Sequence, residues 1–296
     1  MAAFGVNSTG HEVVQAFRTH MVGKIVLITG PSKDGIGAEI AKTLASGDPD
    51  HLLLAGRNEA KITPVIREIQ KTNSNIKVTY VQCDLLDNGS VRKAAVRVNS
   101  LVHKIDILIN NAGIMAARTF RKSADGVESQ FAAGYLGHFL LTNLIMDTIV
   151  AAKGVVVNMT SSAYMFDEVD THDTNFAEGR DYDPWKAYAR TKTANVLFTI
   201  ALAKQFGGKG VKSFAVDPGM VVGTNLMANT GVDDELMKQG MDMAVARNGD
   251  TSLEGKSPAY VKECGIIPTL PYASDEAIAK KLWQLSERLV GQTFDG

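Results

Sequence analysis

Three observations predict an α/β fold built on a doubly wound parallel sheet. Short runs rich in Val, Ile and Leu recur along the chain without polar alternation, as strands buried on both faces require. Longer amphipathic stretches separate these runs, which is the βαβ rhythm of a sheet covered by helices on both sides. Composition is that of a globular chain able to bury one large core: 296 residues, 45% hydrophobic and 21% charged. No repeat, linker or shift in composition divides it, so a single domain over 1–296 is expected.

The start of the chain is expected to form a small amphipathic helix (Val13, Val14, Phe17, Met21) packed on the body. Strands are expected at 24–28, 52–55, 78–82, 105–109, 155–159 and 211–216. Helices are expected near 36–46, 59–72, 88–102, 127–152 and 186–206. Right-handed crossovers then wind the sheet in both directions. Two regions break the rhythm and read as substrate-lid segments. Residues 163–184 are polar and acidic. Residues 220–272, a C-terminal substrate-binding excursion, hold five of the eleven methionines: Met220, Met227, Met237, Met241 and Met243. Methionine adapts to irregular apolar shapes, and ordinary packing of a helical excursion explains it equally well.

Charge and cysteine content exclude several classes. A net charge of −1 gives no electrostatic case for nucleic acid. No run of 18 apolar residues predicts a membrane span. The first residues lack the basic and apolar blocks of a secretory signal. Cys83 and Cys264 lie far apart and suggest neither a disulfide framework nor a metal site. A reduced, cytoplasmic setting is the expectation.

The chemistry begins after the first strand, at Thr29-Gly30-Pro31-Ser32-Lys33-Asp34-Gly35-Ile36-Gly37. A glycine loop between the first strand and first helix of a βαβ unit lets backbone approach a pyrophosphate at the helix N-terminus. An acid at the end of the second strand would bind a ribose 2′-hydroxyl. This chain has Gly56-Arg57-Asn58 there. Arg57 can pair bidentately with a phosphate, and Lys33 adds a second cation, so NADP(H) is favoured over NAD(H). Tyr188 and Lys192 sit four residues apart in Trp185-Lys186-Ala187-Tyr188-Ala189-Arg190-Thr191-Lys192. On a helix that spacing puts both on one face, where an ammonium favours the phenolate and tunes the tyrosine for proton transfer.

Ordered motifs over nearly the whole chain resemble the short-chain dehydrogenase/reductase family. They are the Gly30–Gly37 loop, Asp84-Leu85, Asn110-Asn111-Ala112-Gly113, Asn158-Met159-Thr160-Ser161-Ser162, the Tyr188–Lys192 pair and Asp217-Pro218-Gly219. The stretch 136–142, the long insert before Tyr188 and the segment 279–287 are similar to the retinol dehydrogenase and light-dependent protochlorophyllide reductase branch. The longer glycine loop with Pro31 is similar to members found in fungi, often beside secondary-metabolite pathways.

The resemblance implies a Rossmann-type sheet and a catalytic set of Ser161, Tyr188 and Lys192. Tyr188 would be the acid in carbonyl reduction, Lys192 would lower its pKa and hold the nicotinamide ribose, and Ser161 would bond the carbonyl oxygen, with Ser162 as fallback. Cofactor contacts implied are Gly30, Ser32, Lys33, Gly35, Ile36, Gly37, Arg57, Asp84, Leu85, Asn111, Ala112, Gly113, Tyr188, Lys192, Pro218, Gly219, Val221 and Thr224. The substrate would be a small hydrophobic carbonyl or alcohol, and helices 127–152 and 184–206 would pair in a homodimer.

Three positions depart from the family pattern. The loop holds four residues between Gly30 and Gly35, one more than usual. The stretch from Pro218 to Thr224 is one residue longer. Gly134 stands where the family places an asparagine that anchors a relay water. That last departure keeps open a non-redox lyase, isomerase or cyclase on the same fold. A cofactor-binding protein without turnover is the third reading.

Overall fold

The computed structural model describes residues 4–5, 7–219, 221, 224, 226, 233, 235–237, 258–262 and 265–295. Helices α1 (Gly10–Ala16) and α2 (Arg18–Met21) open the chain. A capping box between Thr9 and Glu12 starts α1. Val14 and Met21 bury against Gly47, where a Cβ would stand 2.9 and 2.7 Å from their side chains, while Phe17 stays exposed. The expected packing of this segment on the body is therefore seen.

Among the described residues the sheet has eight strands in the order β3-β2-β1-β4-β5-β6-β7-β8. They are β1 (Ile25–Thr29), β2 (His51–Gly56), β3 (Lys77–Gln82), β4 (Ile107–Asn110), β5 (Val155–Met159), β6 (Lys212–Asp217), β7 (Ala259–Lys262) and β8 (Gly265–Ile267). The first seven run parallel and β8 returns antiparallel. The order reverses between β1 and β4, and such a switch point opens a crevice at the carboxyl ends of the strands.

Alternate residues of each strand feed two cores, which is why the runs are apolar throughout. Leu27 and Leu53 pack with α5 (Asn88–Leu101), α7 (Gly137–Leu144), α9 (Pro184–Phe206) and α11 (Glu276–Val290). Val26, Ile28, Leu52 and Leu54 pack with α3 (Ile36–Ala45) and α4 (Glu59–Thr72).

Two expectations change. First, β7 and β8 fall inside 220–272, so the end of that excursion extends the sheet. Four and three residues are too short to reveal a period, which hid them in the sequence. Met220, Met227, Met241 and Met243 lie outside the described residues, as does Cys264; Met237 packs beside Leu236. Second, the helix expected at 127–152 is broken into α6 (Ser129–Phe131), a π-helical turn Ala132–Leu136, α7, and α8 (Met146–Ala152), with a bend of 66° before Met146. Among the described residues no single helix is long and apolar enough to cross a membrane. The bent pair passes that test only in combination, and its Phe139, Leu140, Ile145 and Ile149 are core residues.

The other expected lid segment, 163–184, is a strap bound down along its length. It begins with a 3₁₀ turn, Ser162–Phe166. Arg190 on α9 donates Nε–H to Asp167 at 2.9 Å, and its guanidinium lies 4.3 Å from the Phe176 ring centre. Asn175 accepts the Glu128 N–H at 2.8 Å, and the Tyr182 hydroxyl donates to the Ala117 carbonyl at 2.6 Å. Short α10 (Pro271–Ser274) then leads into α11.

Candidate active site

The glycine loop is shaped by contacts that only glycine allows. Gly30 has φ +69°, and a Cβ there would stand 2.8 Å from the Ala112 Cβ. At Gly37 a Cβ would meet Asn111 Nδ2 at 2.5 Å and the Gly30 carbonyl at 2.8 Å. Gly35 heads α3 with no capping side chain, so the first N–H groups of that helix are left for an anion. The extra residue is absorbed at Asp34, which takes φ +62°, a region aspartate tolerates. Ser32 accepts the Gly35 N–H at 3.1 Å, and the Lys33 N–H donates to the Lys61 carbonyl at 2.9 Å. The insertion thus forms a turn pinned to α4 and leaves the start of α3 intact. Ile36 packs on the second core.

Beyond β2, Arg57, Asn58, Glu59, Ala60, Thr63 and Asp84 line an open cleft of about 650 Å³. Asp84 is fixed by its own N–H to Ser90 Oγ (2.9 Å) and by accepting the Leu86 N–H (3.0 Å). Leu85 turns its side chain into the core. Glu59 was missed by the sequence reading; it is an acid on the same cleft as Arg57. These glycines, the uncapped helix and the cleft beyond β2 fit a dinucleotide.

Thr29 organises the segment Asn111–Gly113. Its hydroxyl oxygen accepts the N–H groups of Asn111 (2.9 Å) and Ala112 (3.1 Å). With both lone pairs used, its proton goes to the nearest acceptor, His138 Nε2 at 2.8 Å. His138 must then donate Nδ1–H to the Gly134 carbonyl at 3.3 Å. Burial lowers the His138 pKa to about 3, which keeps the ring neutral. The Asn111 amide closes the unit by donating to the Thr29 and Gly30 carbonyls. Gly134 is explained by a neighbour: a Cβ there would lie 2.6 Å from Thr191 Cγ2.

Helix α9 starts at Pro184, with Asp183 capping the Lys186 N–H. It presents Tyr188, Lys192 and Asn195 to the end of β5. Lys192 Nζ and Asn195 Nδ2 both donate to the Met159 carbonyl at 3.0 Å. The ammonium lies 5.2 Å from the Tyr188 ring centre. Ser161 accepts the Ala163 N–H at 3.2 Å and lies near enough to Tyr188 to pull its pKa down, whereas Ser162 turns away and donates to Asp217 at 2.5 Å. Burial pulls Lys192 down to about 8, with Asp217 opposing. Tyr188 does not behave as expected from its lysine. Burial pushes its pKa up, Asp217 adds to that, and only the Ser161 hydroxyl pulls it down. In the protein alone desolvation outweighs the nearby ammonium.

Residues 24–171 match the short chain dehydrogenase family. This chain belongs to that family. It is 36% identical over 280 residues to retinol dehydrogenase 12 of Homo sapiens, covering 91% of this chain and 87% of that protein. Short-chain dehydrogenase TIC 32 B, chloroplastic, of Brassica napus is 30% identical, with 98% and 95% covered. Among solved structures, an uncharacterized protein from Mycobacterium Paratuberculosis superposes with a TM-score of 0.71 at 30% identity, covering 93% of this chain and 96% of that one. A gluconate 5-dehydrogenase from Beutenbergia cavernae with bound NADP has a TM-score of 0.57 at 26% identity, with 75% and 82% covered. The relatives place the chain in the retinol dehydrogenase branch of the short-chain dehydrogenases.

In this short-chain dehydrogenase an apolar wall stands over Tyr188. Ala116, Ala163, Phe166, Trp185, Ala189 and Leu236 form one buried cluster with it. The Trp185 indole N–H donates to the Leu236 carbonyl at 2.7 Å, and Arg118 pairs with Asp233 at 2.6 Å. These two contacts tie Leu236 to the wall and Asp233 to Arg118. On the other side, Gly219 takes φ +74° and donates its N–H to Asp217 at 2.8 Å. Pro218 and Val221 are exposed, and the half-buried Thr224 uses its hydroxyl to accept the Leu226 N–H. Sequence reading missed Thr29, Asn195 and Tyr260 as polar partners of the site. Thr29 opens the glycine-loop motif and Asn195 follows Lys192 by three residues, whereas Tyr260 carries no sequence signal.

Proposed function

We propose that this protein is an NADP(H)-dependent carbonyl reductase, or reversible alcohol dehydrogenase, acting on a hydrophobic aldehyde or ketone. One observation carries the reading: Ser161, Tyr188 and Lys192 converge at the carboxyl end of the sheet, under an apolar wall. A bound nicotinamide would supply or accept the hydride. Hydride transfer to a carbonyl builds negative charge on its oxygen, and Ser161 and Tyr188 are the placed donors that stabilise it. Tyr188 then gives up its proton, and its raised pKa keeps it in the donating form in the free protein. Lys192, which faces the phenol, would hold the ribose.

The pyrophosphate would rest on Gly30, Ser32, Gly35, Ile36 and Gly37, and the 2′-phosphate on Arg57 and Lys33. Asp84 and Leu85 would flank the adenine. Asn111, Ala112 and Gly113 would back the ribose, with Pro218, Gly219, Val221 and Thr224 beside the carboxamide. Segments 163–184 and 233–237 would close the substrate side. A non-redox reaction keeps support from Gly134, whose carbonyl is engaged by His138. Product formed without NADPH consumption would single out that second reading.

Fluorescence titration with NADPH and NADH, repeated on Arg57→Ala, tests the cofactor assignment. Tight NADPH binding, weak NADH binding and a tenfold or larger loss for NADPH alone in Arg57→Ala are expected, since a charge-assisted pair is among the strong hydrogen bonds. Absence of binding by either cofactor would sink the reading.

A further inference from the structure

We propose that Asp217 is a positioning residue for the reaction centre. Its buried carboxylate, held by three donors, ties the chain after β5 to β6 and β7 behind Ser161 and acts on Lys192 through its charge. The inference rests on the reductase reading only for its kinetic consequence.

Asp217 is the last residue of β6 and is 5% exposed. Oδ2 accepts the hydroxyl protons of Ser162 (2.5 Å) and Tyr260 (2.7 Å), and Oδ1 accepts the Gly219 N–H (2.8 Å). The donors come from the end of β5, from β7 and from the turn after β6. Lys262, in register with Asp217 on β7, donates to Ser162 Oγ at 3.2 Å. That bond occupies a lone pair of Ser162 and directs its proton to Asp217. Ser161 has extended backbone (φ −163°, ψ 154°), so consecutive side chains there point to opposite sides. Fixing Ser162 on Asp217 therefore aims Ser161 at Tyr188. This explains why one serine serves the tyrosine and its neighbour does not.

The charge has a second consequence. Among the described residues no carboxylate lies within ion-pair distance of Lys192. The titratable groups facing Asp217 are Tyr164 on the 3₁₀ turn, Tyr188 and Lys192 on α9, and Tyr260 and Lys262 on β7. Its charge opposes the effect of burial on Lys192 and adds to the effect of burial on Tyr188.

The test compares Asp217→Asn with Tyr260→Phe and Ser162→Ala. Protein carrying ¹³Cε-labelled lysine is titrated by NMR, with the Lys192 signal assigned through Lys192→Met. In Asp217→Asn the Lys192 midpoint, now about 8, should fall by about one pH unit or more, a tenfold loss of proton affinity. Tyr260→Phe keeps the charge and should leave the midpoint in place. Should Asp217→Asn fail to fold, Asp217→Ser gives the same reading. In kinetics, the basic limb of the kcat profile for carbonyl reduction should move to lower pH in Asp217→Asn alone, while Ser162→Ala lowers kcat with an unmoved profile. An unchanged Lys192 midpoint in Asp217→Asn, or an equal shift in Tyr260→Phe, overturns the proposal. The NMR reading needs no turnover, so a wild-type protein inactive on carbonyls would count against the reductase reading and leave Asp217 separately tested.

Discussion

The two halves of the sheet build their share of the site from different atoms. On the β1–β4 side the shaping contacts are backbone ones: Gly30 on Ala112, Gly37 on Asn111, and a threonine hydroxyl gathering two N–H groups. On the β5–β8 side they are side-chain contacts across long separations, with Ser162 bonded to Asp217 over 55 residues and to Lys262 over 100. A backbone cradle can hold any phosphate in one geometry. A side-chain assembly can set charge and proton position at a single atom. The division predicts that changes on one side alter binding and changes on the other alter rate.

Tyr188→Phe is the strongest test of that division. The ring and its apolar contacts remain, and only the donor is lost. Turnover should fall by about 10²–10⁴, the usual contribution of a placed general acid. NADPH affinity, measured by fluorescence, should hold. A parallel loss of cofactor binding would mean that the two halves are not separable.

Gly37→Ala is the mirror experiment. The new methyl group would meet an amide nitrogen at 2.5 Å and a carbonyl oxygen at 2.8 Å. Neither can move without breaking the tie between the loop and Asn111. Overpacking of this kind costs about 1–3 kcal/mol, and about 1.4 kcal/mol is tenfold in affinity. NADPH binding should weaken about tenfold or more while kcat at saturating cofactor changes little. Wild-type affinity in this variant would remove the loop from the cofactor site.

The same division decides what the sequence could reveal. Helix α4 was expected at 59–72 and is found at Glu59–Thr72, because a capping asparagine and a clear apolar face are local properties. The glycine loop was legible for the same reason. Tyr260 and Lys262 were not, because their meaning arises only when β7 docks beside β6. The π-helical turn at Ala132–Leu136 interrupts a run whose hydrophobicity continues unbroken through it, so the pattern predicted one helix. The upward displacement of Tyr188 was also hidden: spacing gives the distance to Lys192, whereas burial is a property of the finished fold.

His138 offers a pH test of the cofactor half. Its pKa falls from 6.5 to about 3 on folding, so below pH 6.5 the unfolded chain takes up a proton that the native ring refuses. Native stability is therefore complete above pH 6.5 and declines as pH drops toward 3. At pH 5 the loss from this residue is about 2 kcal/mol. Urea unfolding at pH 7 and pH 5 should show the difference, and His138→Gln, which keeps a polar group near Thr29 and Gly134, should reduce it. An equal decline in the variant would move the effect to other groups such as His51, also lowered by burial.

The smallest effect probes the seam between the halves, where the π-helical turn meets α9. Gly134→Ala should gain about 1 kcal/mol from helix propensity. It should lose about 1–3 kcal/mol from the contact of its methyl group with Thr191 Cγ2 at 2.6 Å. A net loss of about 1 kcal/mol in urea unfolding is expected. Thr191→Ser removes that methyl group and keeps the hydroxyl bond to the Ala187 carbonyl, 2.8 Å in the native protein. The double variant should regain what the alanine lost, with a coupling of about 1 kcal/mol or more. Additivity instead would show that the Thr191 methyl group is not what dictates glycine here. Coupling would justify Gly134→Asn in the Thr191→Ser background as the fair test of whether an asparagine at this position speeds turnover, since in the native background the side chain has no room.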